Sequence, residues 1–332
     1  MSKEIAQSQS TVDPFELLQI VPNPDGTITR NMSIPLVAAD PVDNVVRSKD
    51  VPLNQSNNTW VRIFLPRQAF DFSSTTKLPL IIDFHSGGFI IGSAAISLFH
   101  EFCSNIALEL PAVVVSVEYR LAPEHRLPAA YDDAMEVLHW IKNTQEDWLM
   151  KYADFSNCFL MGSSAGGNIA YQAGIRATSE VDNLLPLKIR GLILLFPFFG
   201  GVKRTESEIR LVNDRVFPTC LTDLMWELSL PMGSDRDHEY SNPTLGGGSK
   251  IIEKIRLLGW KVMVSGCDGD PLIDRQIELA KIMEKEGVEV VSYFEEGHYH
   301  GADVIDPAKR KELVLHIKKF LVLQNSDCLP EK

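Results

Sequence analysis

The sequence predicts the α/β class, a mostly parallel sheet with helices on both faces, and three observations predict it. Short apolar runs recur at 80–84, 112–117, 158–161, 192–196, 261–265 and 288–293. Their length and Val/Ile/Leu content suit strands buried on both faces rather than alternating, half-exposed ones. Segments with helical spacing of apolar residues lie between them, at 97–110, 131–140 and 273–286, and a further one follows at 309–323. This alternation is the signature of parallel strands joined by crossover helices. Finally, 332 residues that are 45% hydrophobic supply enough material for one large core, so 1–332 reads as a single domain.

Taken in order, residues 1–12 are polar and expected to fray. Residues 14–18 suit a short helix, with Asp13 as its cap and Pro14 at its first position. Asn23-Pro-Asp-Gly26 is a turn signal between 17–21 and 27–30. Two strands are predicted over 45–53 and 60–65, joined by the polar loop 54–58, and 67–77 reads as loop. The helix over 131–140 presents Ala134, Val137, Leu138 and Ile141 on one side. Residues 200–233 break the rhythm, with two plausible helices, 203–211 and 221–228, and no evident strand. They read as an insertion over the C-terminal edge of the sheet, where long insertions often form lids.

The formal net charge is −12, from 44 acidic and 32 basic side chains. Such a balance disfavours nucleic acid and anionic membranes as partners. Cys103, Cys158, Cys220, Cys267 and Cys328 are odd in number and widely spaced, without a zinc-type pair, which points to reduced thiols. The first ten residues lack an apolar signal core, and no apolar run reaches membrane-spanning length. The expectation is a cytoplasmic protein, a monomer or weak homodimer.

The chemistry is concentrated at a few loops. Gly162-Ser-Ser-Ala-Gly166 stands between an apolar run and a helical pattern. In that context G-x-S-x-G is a nucleophile elbow, with Ser164 on a sharp turn and glycines where a Cβ would collide with neighbouring backbone. A bare pentapeptide of this type is as well explained by a Gly-rich turn, so the partners matter. Acyl transfer needs a base, an acid to orient it and donors for an oxyanion. His85-Ser-Gly-Gly-Phe89 follows a predicted strand and offers the N–H groups of Gly87 and Gly88, with that of Ala165 as a third. For the acid, Asp268, Asp270 and Asp274 follow the strand at 261–265. Asp270 is preferred, although an aspartate before Pro271 also suits a helix N-cap. For the base, His298 and His300 share the loop after the last strand, and His300, beside Gly301, is preferred. These two histidines raise the question of a metal, but no carboxylate stands in a helical H-x-x-x-H frame, so neither metal nor cofactor is expected.

With these residues in place, the chain resembles serine esterases of the hormone-sensitive-lipase group of α/β-hydrolases, the plant carboxylesterases in particular. The resemblance runs from about residue 60 to 320. It is carried by His85-Ser-Gly-Gly-Phe, Tyr119-Arg-Leu-Ala-Pro-Glu-His125 with Pro128-Ala-Ala-Tyr-Asp-Asp133, Gly162-Ser-Ser-Ala-Gly-Gly167 and Asp270-Pro-Leu-Ile-Asp274. It implies an α/β-hydrolase fold with Asp270 as triad acid and His300 as base. It also implies a helical cap built from about 1–45 together with about 200–233. The stretch from Tyr119 to Asp133 is expected to pack beneath the oxyanion loop. Two departures stand out: Ser86 replaces a glycine of the usual H-G-G-G, and Ser163 replaces the aspartate of the usual G-D-S-A-G-G. The expected activity is hydrolysis of short to medium, uncharged carboxylic esters through an acyl-enzyme on Ser164. Two other functions share the scaffold. Gibberellin receptors resemble it but have lost the triad histidine, and hydroxyisoflavanone dehydratases tend to carry threonine where Ser86 stands.

Overall fold

The computed structural model describes residues 13–43, 45–69, 76–245 and 249–326. The expectations for residues 1–12, for 70–75 within the predicted loop, and for Cys328 fall outside the described residues. The chain opens with α1 (Pro14–Leu18), capped by the Asp13 side chain, and a hairpin of β1 (Ile20–Pro22) and β2 (Ile28–Arg30) around the Asn23–Gly26 turn. Then follow β3 (Val46–Asn54), β4 (Thr59–Pro66), β5 (Leu78–Phe84), α2 (Ser97–Glu109), β6 (Val113–Glu118), α3 (Ala129–Asn143), α4 (Asp147–Tyr152), β7 (Ala153–Ser163) and α5 (Ala165–Ala177). After β8 (Ile189–Leu195) come α6 (Glu206–Arg210), α7 (Thr219–Ser229) and α8 (Ser249–Leu257). The chain closes with β9 (Lys261–Cys267), α9 (Ile273–Lys285), β10 (Val290–Glu295), α10 (Ala302–Ile305) and α11 (Pro307–Ser326).

Eight strands form one sheet in the order β10-β9-β8-β7-β5-β6-β4-β3. The pairs from β10 to β6 are parallel, and β4 and β3 join antiparallel at one edge. Period-two alternation explains how one strand serves two layers. Leu80, Ile82 and Phe84 of β5 enter one core with side chains of α3, α5 and α9. Ile81 enters the opposite core, built with Phe102 and Ile106 of α2 and Ile317 and Phe320 of α11. Three helices absent from the sequence reading are α4, α8 and α10. The first and last span six and four residues, too short to display a helical period.

The N-terminal segment and the 200–233 stretch meet near the loop after β5. The predicted helices of 200–233 form as α6 and α7, and no strand lies in that stretch. α1 packs against α7. Arg30, at the end of β2, reaches over to the loop after β5: its Nε donates to the Ile90 carbonyl at 2.6 Å, and it pairs with Glu124 at 2.7 Å. α6 is tied to α9 by an ion pair between Glu208 and Arg275, 3.0 Å apart and almost wholly buried. The Asp274 carboxylate also accepts from the Ser207 N–H at 2.7 Å.

Candidate active site

The elbow forms where the sequence predicts it, between β7 and α5. Ser164 has φ 57° and ψ −118°, a strained conformation for a residue with a Cβ. Its backbone is pinned on both sides: its N–H donates to the Leu195 carbonyl at 2.8 Å, and its carbonyl accepts from Phe198 at 2.9 Å. The flanking glycines are required by close approach. A Cβ on Gly162 would lie 2.3 Å from the Gly166 backbone, and one on Gly166 would lie 1.8 Å from the Phe84 carbonyl oxygen.

The structure brings Ser164, His300 and Asp270 into one hydrogen-bonded run. His300 Nε2 lies 2.8 Å from Ser164 Oγ, and His300 Nδ1 lies 2.8 Å from Asp270 Oδ2. All three side chains are buried. Asp270 also accepts from Leu272 N–H at 2.9 Å and from Gln276 Nε2 at 2.8 Å. It therefore shapes the turn into α9 as well as holding the imidazole. Neither competing carboxylate reaches His300. Asp268 Oδ1 takes the Gly297 N–H at 2.8 Å and so steadies the base of the histidine loop, while Asp274 anchors α6. His298 faces Glu295, 3.4 Å away, instead of Ser164.

The loop after β5 carries Gly87 at φ 129°, Gly88 at φ 60° and Phe89 at φ 66°. A side chain at Gly87 would meet the Ile91 carbonyl at 1.8 Å, and one at Gly88 the Met225 sulfur of α7 at 2.3 Å. Among the described residues, the N–H groups of Gly87 and Gly88 have no backbone acceptor. The segment from Tyr119 lies under this loop, as expected from the sequence. The Tyr119 hydroxyl donates to the His85 carbonyl at 2.8 Å, its ring stacks on the His85 imidazole, and the Ala122 N–H donates to the Phe89 carbonyl at 2.8 Å. Burial pushes His85 down to about 4, so it stays neutral and donates from Nδ1 to the Ser86 carbonyl. Arg120 and Asp133 form a close, multiply bonded pair beneath.

Sequence reasoning missed contributors at three places. Gln276 fixes the Asp270 carboxylate, but nothing local in the sequence distinguishes it from any polar helix residue. Phe217 lies parallel over the His300 ring with centroids 4.1 Å apart, and Phe196 meets the same ring edge-on. Phe217 falls within the 200–233 stretch expected to form part of the cap, and Trp226 of the same stretch is buried and stacks on Phe198. The third is Asp303, two residues beyond Gly301, which accepts from the Ser163 hydroxyl at 3.2 Å. A carboxylate thus stands beside position 163, supplied from α10 instead of from the elbow. Its burial raises it to about 6.

Comparison with known proteins bears on the fold and the family. Residues 81–303 match the model of a family with the α/β hydrolase fold. The chain is 55% identical to Carboxylesterase 20 of Arabidopsis thaliana, over 96% of this chain and 99% of that one. It is 47% identical to 3-O-acetylpapaveroxine carboxylesterase CXE2 of Papaver somniferum, over 93% and 99%. A more distant relative is the Gibberellin receptor GID1C of Arabidopsis thaliana, 37% identical over 80% and 79%. Among solved structures, a hyperthermophilic esterase from Pyrobaculum calidifontis superposes with a TM-score of 0.68, covering 83% of this chain and 82% of that one. At 24% identity it speaks to the fold alone. The chain belongs to the plant carboxylesterases of the hormone-sensitive-lipase group, carboxylic ester hydrolases built on the α/β-hydrolase fold.

Proposed function

We propose that the protein hydrolyses short to medium, uncharged carboxylic esters through an acyl-enzyme on Ser164. The observation that carries this reading is the unbroken run from Ser164 Oγ through His300 to Asp270, with 2.8 Å at each step. His300 Nε2 takes the serine proton as Oγ attacks the ester carbonyl. Asp270 accepts from Nδ1–H and stabilises the imidazolium. The N–H groups of Gly87, Gly88 and Ala165 receive the negative charge of the tetrahedral intermediate, each worth ~10²–10³ in rate. His300 then protonates the departing alcohol. Water, activated by the same imidazole, releases the acid and restores Ser164.

Substrate size follows from what surrounds the imidazole. Phe217 and Phe196 flank it, and Met225 packs over Gly88, an apolar setting in which a charged acyl group would lose its hydration uncompensated. The cap is assigned to about 1–45 together with about 200–233, supported by the packing of α1 on α7 and by Phe217 over His300. The acetyl ester in the name of the Papaver relative agrees with a small acyl group. No helix among the described residues is long and apolar enough to cross a membrane. We place the protein in the cytoplasm as a monomer or weak homodimer, its net charge of −12 holding copies apart. The hydrogen-bonded His300 disfavours a hormone receptor on the same scaffold.

An organophosphate should label one serine, which peptide mapping identifies as Ser164, and turnover should stop in proportion. kcat/KM should be higher for acetyl and butyryl than for palmitoyl p-nitrophenyl esters. Labelling elsewhere, or negligible ester turnover together with tight binding of a small acidic ligand, would favour the receptor reading. Highest efficiency on the palmitoyl ester would overturn the size assignment.

A further inference from the structure

We propose that a zinc ion binds between the histidine loop and α11, held by Glu295, His298 and Glu312, with His316 steadying Glu295 beside it. Glu295 closes β10, His298 lies in the loop that carries His300, and Glu312 and His316 are four apart on α11, so they share one face. The sequence contains no H-x-x-x-H frame, and it is the fold that brings Glu295 and His298 to Glu312. Donor atoms of Glu295, His298 and Glu312 all lie within 4.8 Å of one another. Glu295 spans both imidazoles, with Oε2 3.4 Å from His298 Nε2 and Oε1 3.6 Å from His316 Nδ1. In a tetrahedral site with bonds of about 2.1 Å, neighbouring donors sit about 3.4 Å apart, so the separation of Glu295 from His298 already suits an ion.

The surroundings point the same way. Glu295, His298 and His316 line a cavity of about 20 Å³, room for about one water or one ion. Asp303 lines it too. Its Oδ2 takes the Ser163 hydroxyl, whereas its Oδ1 is buried without a hydrogen-bond partner. An unpaired buried carboxylate oxygen facing a cavity favours a cation there. The His316 ring is held in place by stacking on Tyr293, centroids 4.0 Å apart. An imidazole with two carboxylates suits zinc, with water in a fourth position, better than magnesium, which demands an oxygen octahedron and keeps its waters. One cation already competes: Lys309 lines the cavity and its ammonium lies 3.1 Å from Glu312.

That competition supplies the test. The full-length protein, carrying Cys220→Ser and Cys328→Ser so that neither thiol competes for the metal, is stripped with a chelator and titrated with zinc chloride by calorimetry. One zinc per chain is expected, with no saturable heat from magnesium chloride and a higher thermal midpoint when zinc is present. Glu312 is exposed, so Glu312→Gln should fold normally and lose about tenfold or more in affinity, as should His298→Ala. Lys309→Met should bind zinc more tightly than its parent, because the rival cation is gone. A network made only of side-chain ion pairs predicts the reverse pattern: no stoichiometric zinc, and no gain in Lys309→Met. Absence of one-to-one binding, or affinity unchanged in both Glu312→Gln and His298→Ala, would overturn the proposal.

Discussion

Single side chains in this site are distinguished by what they touch rather than by their type. Asp270 and Asp268 are two residues apart, yet one holds the His300 imidazole and the other holds the Gly297 N–H. Asp270→Asn should therefore lower kcat by ~10⁴-fold, because an amide favours the wrong imidazole tautomer. Asp268→Asn should leave kcat within about tenfold of the parent. Stopped-flow turnover of a p-nitrophenyl ester checks both, and a crippled Asp268→Asn beside an active Asp270→Asn would reverse the roles. The same logic separates His298 from His300. His300→Ala should lose the activity and His298→Ala should keep it, since His298 faces Glu295.

At the scale of elements, what the sequence discloses depends on whether the determinant is local. Ser164 is legible because the elbow pattern lies within one strand–turn–helix unit, with Gly162 answering to the Gly166 backbone, although Gly166 itself answers to the carbonyls of Phe84 and His85 across the sheet. The parallel strands were legible because burial on both faces writes itself as unbroken apolar runs. α10 was not, being a single turn, and Gln276 and Asp303 acquire meaning only when α9 and α10 reach the ends of β9 and β7. The insertion was foreseen as helical, but its anchor was not: the Glu208–Arg275 pair joins residues far apart in sequence. Removing one charge strands the other in the interior, so Glu208→Gln should cost about 3–5 kcal/mol of stability in urea unfolding. A cost below about 1 kcal/mol would mean that water reaches the pair. If α6 loosens with it, kcat/KM should fall too, because Phe217 sits on the segment between α6 and α7.

For the molecule as a whole, the buried acids set how stability varies with pH. Asp83, on β5 and enclosed by the core, is raised by burial from 3.8 to about 7, and Asp303 is raised to about 6. Each holds its proton more tightly folded than unfolded. Their contribution is complete below the open-chain value of 3.8 and is lost as pH climbs through the folded values, with the decline ending near 7. Asp83→Asn keeps an acceptor for the Cys103 thiol, which lies 3.2 Å from the carboxylate. The variant should gain stability over the parent at pH 8 relative to pH 5, read as the difference in urea midpoints. An equal difference at both pH values would exclude Asp83 as the titrating group. The contact of α7 with the oxyanion loop bears on how such an enzyme diversifies. Met225 presses on Gly88, and the Ser229 hydroxyl donates to the Gly88 carbonyl at 3.4 Å. The wall that limits the acyl group is thus also the buttress that aims a proposed oxyanion donor. A lineage, or a directed-evolution library, that trims Met225 to admit larger esters slackens the machinery in the same step. New selectivity gained there comes with slower turnover until a second substitution restores the buttress.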